Sequence, residues 1–164
     1  MPVLSRTAVI KAPAERVFAH VDDIRNLAGH MSGQGSMPMM GSKLALEIVS
    51  QEATGIGATY RYSGRVMGLA IDFSETVTRY VPGREKVWRT IGTPRLIIID
   101  SYEMGILVEP LAETRSRLRL TFDYELPRSG LRRLLGGLLA AAYARWCHGS
   151  IVKGTVQSQQ GSAA

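Results

Sequence analysis

A chain of 164 residues that is 45% hydrophobic and 21% charged carries enough apolar sequence for one buried core and too much for a disordered segment. Its formal charge of +6 is modest, and with no recognition helix or aromatic RNA-binding strand motif in the sequence, nucleic acid is set aside as a partner. The single cysteine, Cys147, excludes an internal disulfide and a cysteine-based metal site, and with no signal-like apolar run near the start it points to a reducing cytoplasm.

Val3 to Lys11 has strand composition, with Leu4, Arg6, Ala8 and Ile10 on one face and Val3, Ser5, Thr7 and Val9 on the other. Pro13 follows where a helix can begin, because its fixed φ and missing N–H cost nothing at the first helical position. Val17, Phe18 and Val21 then form an apolar face at helical spacing. Asp22 and Asp23 can cap a second short helix that ends near Gly29. Residues 32–42 are loop-like and rich in glycine and methionine.

Strands are predicted near 43–51, 57–67, 69–81, 85–92, 96–109 and 114–126, separated by turn signals such as Gly68, Pro82-Gly83 and the stretch from Pro110 to Glu113. In the last of them Leu118, Leu120, Phe122, Tyr124 and Leu126 alternate with polar residues, the mark of one buried and one wet face. After Pro127, Leu131, Leu134, Leu135, Leu138, Ala142 and Trp146 recur at spacings of three and four, and this stripe is expected to lie in the concave face of the sheet. Gly149 and Gly154 weaken the last turns, and a frayed tail is expected from about 158 to 164. The longest apolar stretch, Leu134 to Ala144, is shorter than the run of about 20 residues that crosses a bilayer. From Pro127 onward the chain has five basic residues and no acidic one, so this helix either carries solvated arginines around a core face or leans on an anionic membrane or acidic partner.

These elements add up to an α+β helix-grip fold: a curved seven-stranded antiparallel sheet around a long C-terminal helix, with two short helices after strand 1. A single helix cannot fill the space a curled sheet encloses, so an internal hollow is expected. Ala12-Pro13-Ala14-Glu15-Arg16-Val17-Phe18, continuing to Val21-Asp22, resembles the opening of the SRPBCC superfamily, which holds START-like lipid carriers, polyketide cyclase-like proteins and relatives of the birch pollen allergen. The entry Glu113 to Leu118 and the helix Leu131 to Trp146 match the last strand and grip helix of that group, and the resemblance covers roughly residues 3–157. It implies one ligand-binding domain over 1–157 with an apolar cavity, and it leaves function spread over carriers and cyclases.

No compact catalytic signature is present. His20, His30 and His148 are too scattered to read as a metal site, Cys147 and His148 point in different directions on a helix, and no phosphate loop occurs, so neither metal nor other cofactor is expected. His30 and Asp72 are the candidates for an acid or base. Met37, Met39 and Met40 form either an adaptable apolar contact for a ligand or a surface loop. Arg65 and Asp72 flank a turn and could be cross-strand neighbours, facing the ligand or facing water. Tyr62, Trp88, Tyr102 and Tyr124 offer rings with polar tips to a ligand, or serve simply as core; Leu135, Leu138, Ala142 and Trp146 would line the cavity from the helix.

The reading favoured by these residues is a monomer or homodimer that binds or carries a hydrophobic small molecule, such as a lipid, quinone or polyketide. A cyclase- or dehydratase-like enzyme using the same pocket, and an accessory protein docking on a membrane or enzyme through its basic helix, are the alternatives.

Overall fold

The computed structural model describes residues 3–27, 43–66 and 68–161. Strand β1 (Val3–Ile10) leads into helices α1 (Ala14–Asp22) and α2 (Ile24–Leu27). Strands β2 (Lys43–Ile48), β3 (Thr59–Val66), β4 (Leu69–Val81), β5 (Glu85–Arg95), β6 (Ser101–Ala112) and β7 (Arg115–Glu125) follow, and helix α3 (Gly130–Gly161) closes the fold. The strands form one antiparallel sheet in the order β1-β7-β6-β5-β4-β3-β2. This is the expected helix-grip architecture. Strands β2 to β7 run as a meander, and the crossover from β1 to β2 carries α1 across one end of the sheet against β6, β7 and α3.

Local chemistry sets these elements. Pro13 stands at the N-cap of α1, one residue before its expected place, with φ −58° and ψ 144°, and its carbonyl accepts the Val17 N–H at 3.1 Å. Asp23 caps α2 by accepting the Arg25 N–H at 2.9 Å. The β4–β5 hairpin turns at Gly83, whose φ of +73° strains any residue with a Cβ.

Alternation in β7 works as the sequence indicates: Leu118, Leu120, Phe122 and Tyr124 are buried opposite Val108, Ile106, Met104 and Tyr102 of β6. Full burial of each such aliphatic or Phe side chain contributes about 1.5–3 kcal/mol. In β1 the face carrying Leu4, Ala8 and Ile10 is the one that turns toward the core.

Helix α3 departs from the expectation. Its buried residues are Gly136, Ala140, Ala144, Cys147, His148, Ile151 and Thr155, while Leu131, Leu134, Leu135, Leu138 and Ala142 are exposed on the opposite side. The reason is distance. A Cβ placed on Gly136 would overlap the Ile98 carbonyl oxygen and lie 3.0 Å from a Leu126 methyl, so the first turns press on their neighbours through residues with almost no side chain. Leucines cannot fit there, and the stripe faces outward; Leu135, Leu138 and Ala142 are therefore placed away from the sheet. The helix also runs without a break through Gly149 and Gly154 to Gly161.

This contact gives a paired prediction. Ala is normally favoured over Gly inside a helix by about 1 kcal/mol, so Gly137→Ala, with open space around its Cβ, should stabilise by up to that amount. Gly136→Ala should instead destabilise by about 1–3 kcal/mol, because a backbone carbonyl cannot rotate away. Urea denaturation of the two variants checks both signs.

Candidate functional site

In β4 the inward positions are Ile71, Phe73, Glu75 and Val77, so the strand's own alternation places a carboxylate among apolar neighbours. Glu75 is only 2% exposed. Its Oε1 accepts from the Tyr62 hydroxyl at 3.1 Å and its Oε2 from the Tyr102 hydroxyl at 2.5 Å, and the Trp88 side chain is a further donor. The phenols are themselves fixed by rings: Tyr62 stacks on Phe73 at 4.8 Å, and Tyr102 stacks on Phe122 at 5.3 Å.

Burial pushes the Glu75 carboxyl up to about 7, against the opposing pull of the Tyr102, Tyr62 and Trp88 hydrogen bonds and the Lys86 charge. Burial, followed by the Glu75 charge, raises both the Tyr62 and Tyr102 phenols well above the ordinary tyrosine value, so they stay protonated donors. Near neutral pH the site therefore holds a carboxyl that can both accept and return a proton.

Lys86 of β5 is fully buried beside it. Its Nζ donates to the Asp22 carbonyl at 2.7 Å and to the Tyr60 hydroxyl at 3.4 Å, and pairs with Asp22 Oδ1 at 3.2 Å. The ammonium lies 5.4 Å and 5.7 Å from the ring centres of Tyr60 and Trp88. Asp22 is held in turn by the Tyr80 hydroxyl at 2.7 Å, and Tyr60 donates to the Ala53 carbonyl at 2.6 Å. Burial lowers the Lys86 pKa, although Asp22 opposes the shift. The cluster ties the end of α1 to the middle of the sheet.

The sequence candidates divide clearly. Tyr62, Trp88 and Tyr102 meet around Glu75, and Tyr124 packs beside Phe122 at 5.6 Å. Trp146 is half-buried against Tyr143 at 6.1 Å. Arg65 and Asp72 do not pair: Arg65 is exposed opposite Ala70, and Asp72 opposes Ser63. Asp72 forms a two-point contact with Arg61 on the outer face, at 3.1 and 2.8 Å, and that contact holds its carboxyl below the ordinary value. An odd number of residues separates Asp72 from the inward set, so the pleat turns it to water. Asp72→Asn is therefore expected to leave ligand binding and the thermal midpoint unchanged, as a melting scan would show. Burial raises Cys147 to about 12, which leaves an inert thiol, while His148 packs edge-on to Phe122 at 6.3 Å. His30, Met37, Met39 and Met40 lie outside the described residues.

Glu75, Lys86 and Asp22 are the residues that sequence reasoning missed. The available signal was parity: Glu75 follows Ile71 and Phe73 by twos, and Lys86 precedes Trp88 by two. Among the described residues no group of three or more His, Cys, Asp or Glu side chains is placed to hold a metal ion, and no helix is long and apolar enough to cross a membrane. Where β5 and β6 stop pairing beyond Arg89 and Glu103, a cleft of about 440 Å³ opens, bordered by Thr90, Tyr102 and Tyr124.

This chain belongs to the family described as "Polyketide cyclase / dehydrase and lipid transport", whose model matches residues 1–155. That membership agrees with the SRPBCC resemblance. None of the curated proteins matches it by sequence. Among solved structures, the Zhui aromatase/cyclase from Streptomyces sp. R1128 superposes with a TM-score of 0.77 at 16% identity, over 99% of this chain and 96% of that one. A protein of Thermus thermophilus, TTHA0849, gives 0.67 at 21% identity over 99% and 100% of the two chains. Norcoclaurine synthase from Thalictrum flavum, solved with dopamine and hydroxybenzaldehyde, gives 0.67 at 13% over 97% and 86%. At these identities the likeness is one of fold.

Proposed function

We propose that the protein binds a hydrophobic, ring-bearing small molecule against the concave face of the sheet and moves a proton on it with Glu75, in the manner of a cyclase or dehydratase. The observation that carries this reading is one carboxyl, buried among phenols and rings, whose proton is poised near pH 7. The sequence favoured a non-catalytic carrier; the buried acid shifts the weight toward its enzymatic alternative.

The chemistry follows from the group. As a carboxylate, Glu75 takes a proton from the carbon beside a ketone, leaving an enolate. That carbon attacks a second carbonyl of the same molecule, the carboxylic acid returns its proton to the new alkoxide, and loss of a further α-proton with the hydroxyl as water completes a conjugated ring. Metal is not needed for these steps, because the protons pass through one residue. Apolar walls keep water from competing.

The test uses the two tryptophans. Titration with 1-naphthol is expected to quench emission saturably, with the quench retained in Trp146→Phe and lost in Trp88→Phe. No saturable quench, or a quench that follows Trp146 alone, would remove the reading. A carrier would bind equally well yet leave the α-protons of a bound ketone untouched.

A further inference from the structure

The outward stripe of α3 has no role in the Glu75 site. At 100° per residue, Leu131, Leu134, Leu135, Leu138, Leu139, Ala142 and Arg145 fall within an arc of about 140°. The five leucines are between 38% and 70% exposed, and all lie within the first three turns. Scattered apolar residues on a surface need no explanation, but five adjacent leucines on one helix face form a contiguous patch.

Charge selects the occupant. Arg128 precedes the patch and Arg145 continues it, and among the described residues neither has an acidic partner; Arg133 lies on the other side of the helix and donates to the Arg128 carbonyl at 3.1 Å. Arg132 is otherwise engaged, holding the Leu96 and Ile97 carbonyls and Asp100. No acidic residue occurs anywhere from 126 to 164. A second copy pairing symmetrically through this face would set arginine against arginine with nothing to neutralise them. An anionic bilayer surface presents the opposite charge together with an apolar layer just beneath it.

We infer that the first half of α3 is a membrane-docking face that lays its leucines into the interface of an anionic bilayer while Arg128 and Arg145 meet lipid phosphates. This surface is independent of the Glu75 reading and would serve a protein that collects or delivers an apolar ligand at a membrane.

The test is co-sedimentation of the full chain with large unilamellar vesicles of phosphatidylcholine alone or with about 30% phosphatidylglycerol, in about 0.1 M salt. Binding to the anionic vesicles should be at least about tenfold stronger than to neutral ones and should fall as salt is raised. The double variants Leu134→Ser/Leu138→Ser and Arg128→Gln/Arg145→Gln should each weaken it at least about fivefold while melting like the parent, because these side chains are exposed. Equal binding to both vesicles, or none, overturns the inference. So does a dimer in sedimentation velocity that the leucine variant dissolves in a protein that ignores vesicles, since the patch then belongs to a second copy.

Discussion

Glu75→Gln is expected to slow deuterium exchange at the α-carbons of 2-tetralone in D2O by about 10²–10⁴-fold relative to the parent, the usual range for removing a positioned general base. In the parent the rate should rise with pH through about 7 and then level, because only the ionised carboxyl removes the proton. Stability should move the other way. A carboxyl raised from 4.5 to about 7 in the folded state keeps a proton that the unfolded chain has released, so between those values stability falls as pH rises. The accumulated cost above pH 7 is about 3 kcal/mol at 1.36 kcal/mol per unit. Glutamine escapes that cost and still offers an oxygen to one tyrosine, so the variant should be less active but more stable than the parent at pH 8. A variant that keeps the exchange rate sinks the assignment. One that loses both rate and stability makes Glu75 a core residue whose polarity is structural.

How far the sequence reached depended on what each feature needed. The strand set and the helix order were legible because Leu118 to Leu126 alternates and Pro13, Pro82-Gly83 and Pro127 punctuate the chain. The long helix was legible in existence but its orientation was not. Its leucines form the stronger periodic signal, yet the buried side is chosen by the space beneath Gly136 and Ala140, a tertiary fact that helical spacing does not carry. Tyr62, Trp88 and Tyr102 were singled out by residue type, as rings with polar tips, and the fold brings the three together around Glu75. Glu75 and Lys86 were passed over because charged side chains are seldom fully buried, a rule that a binding or catalytic site breaks. Asp72 attracted notice instead, three residues from Glu75 and on the other face of the same strand. One step of parity separated a surface ion pair from the buried acid.

Lys86→Met should lower stability by about 3–5 kcal/mol, the cost typical of removing one member of a buried charged pair. The methionine fills the stem's place between Tyr60 and Trp88, but the Asp22 carbonyl loses its 2.7 Å donor and the Asp22 carboxylate keeps only Tyr80. Thermal melting should show a fall of roughly 10 °C for a domain of this size. Adding Asp22→Asn should recover part of the loss, since no uncompensated charge then remains, and a double variant worse than the single one by the full Asn cost would mean the pair is not coupled. The same substitution reaches the site through charge alone. Lys86 is one of the influences that hold the Glu75 carboxyl down, so without it the inflection of the exchange profile should move above 7 even at temperatures where the variant is fully folded. An inflection that stays in place would leave Lys86 as a strut between α1 and the sheet; one that moves makes it the residue that sets the acid's working pH.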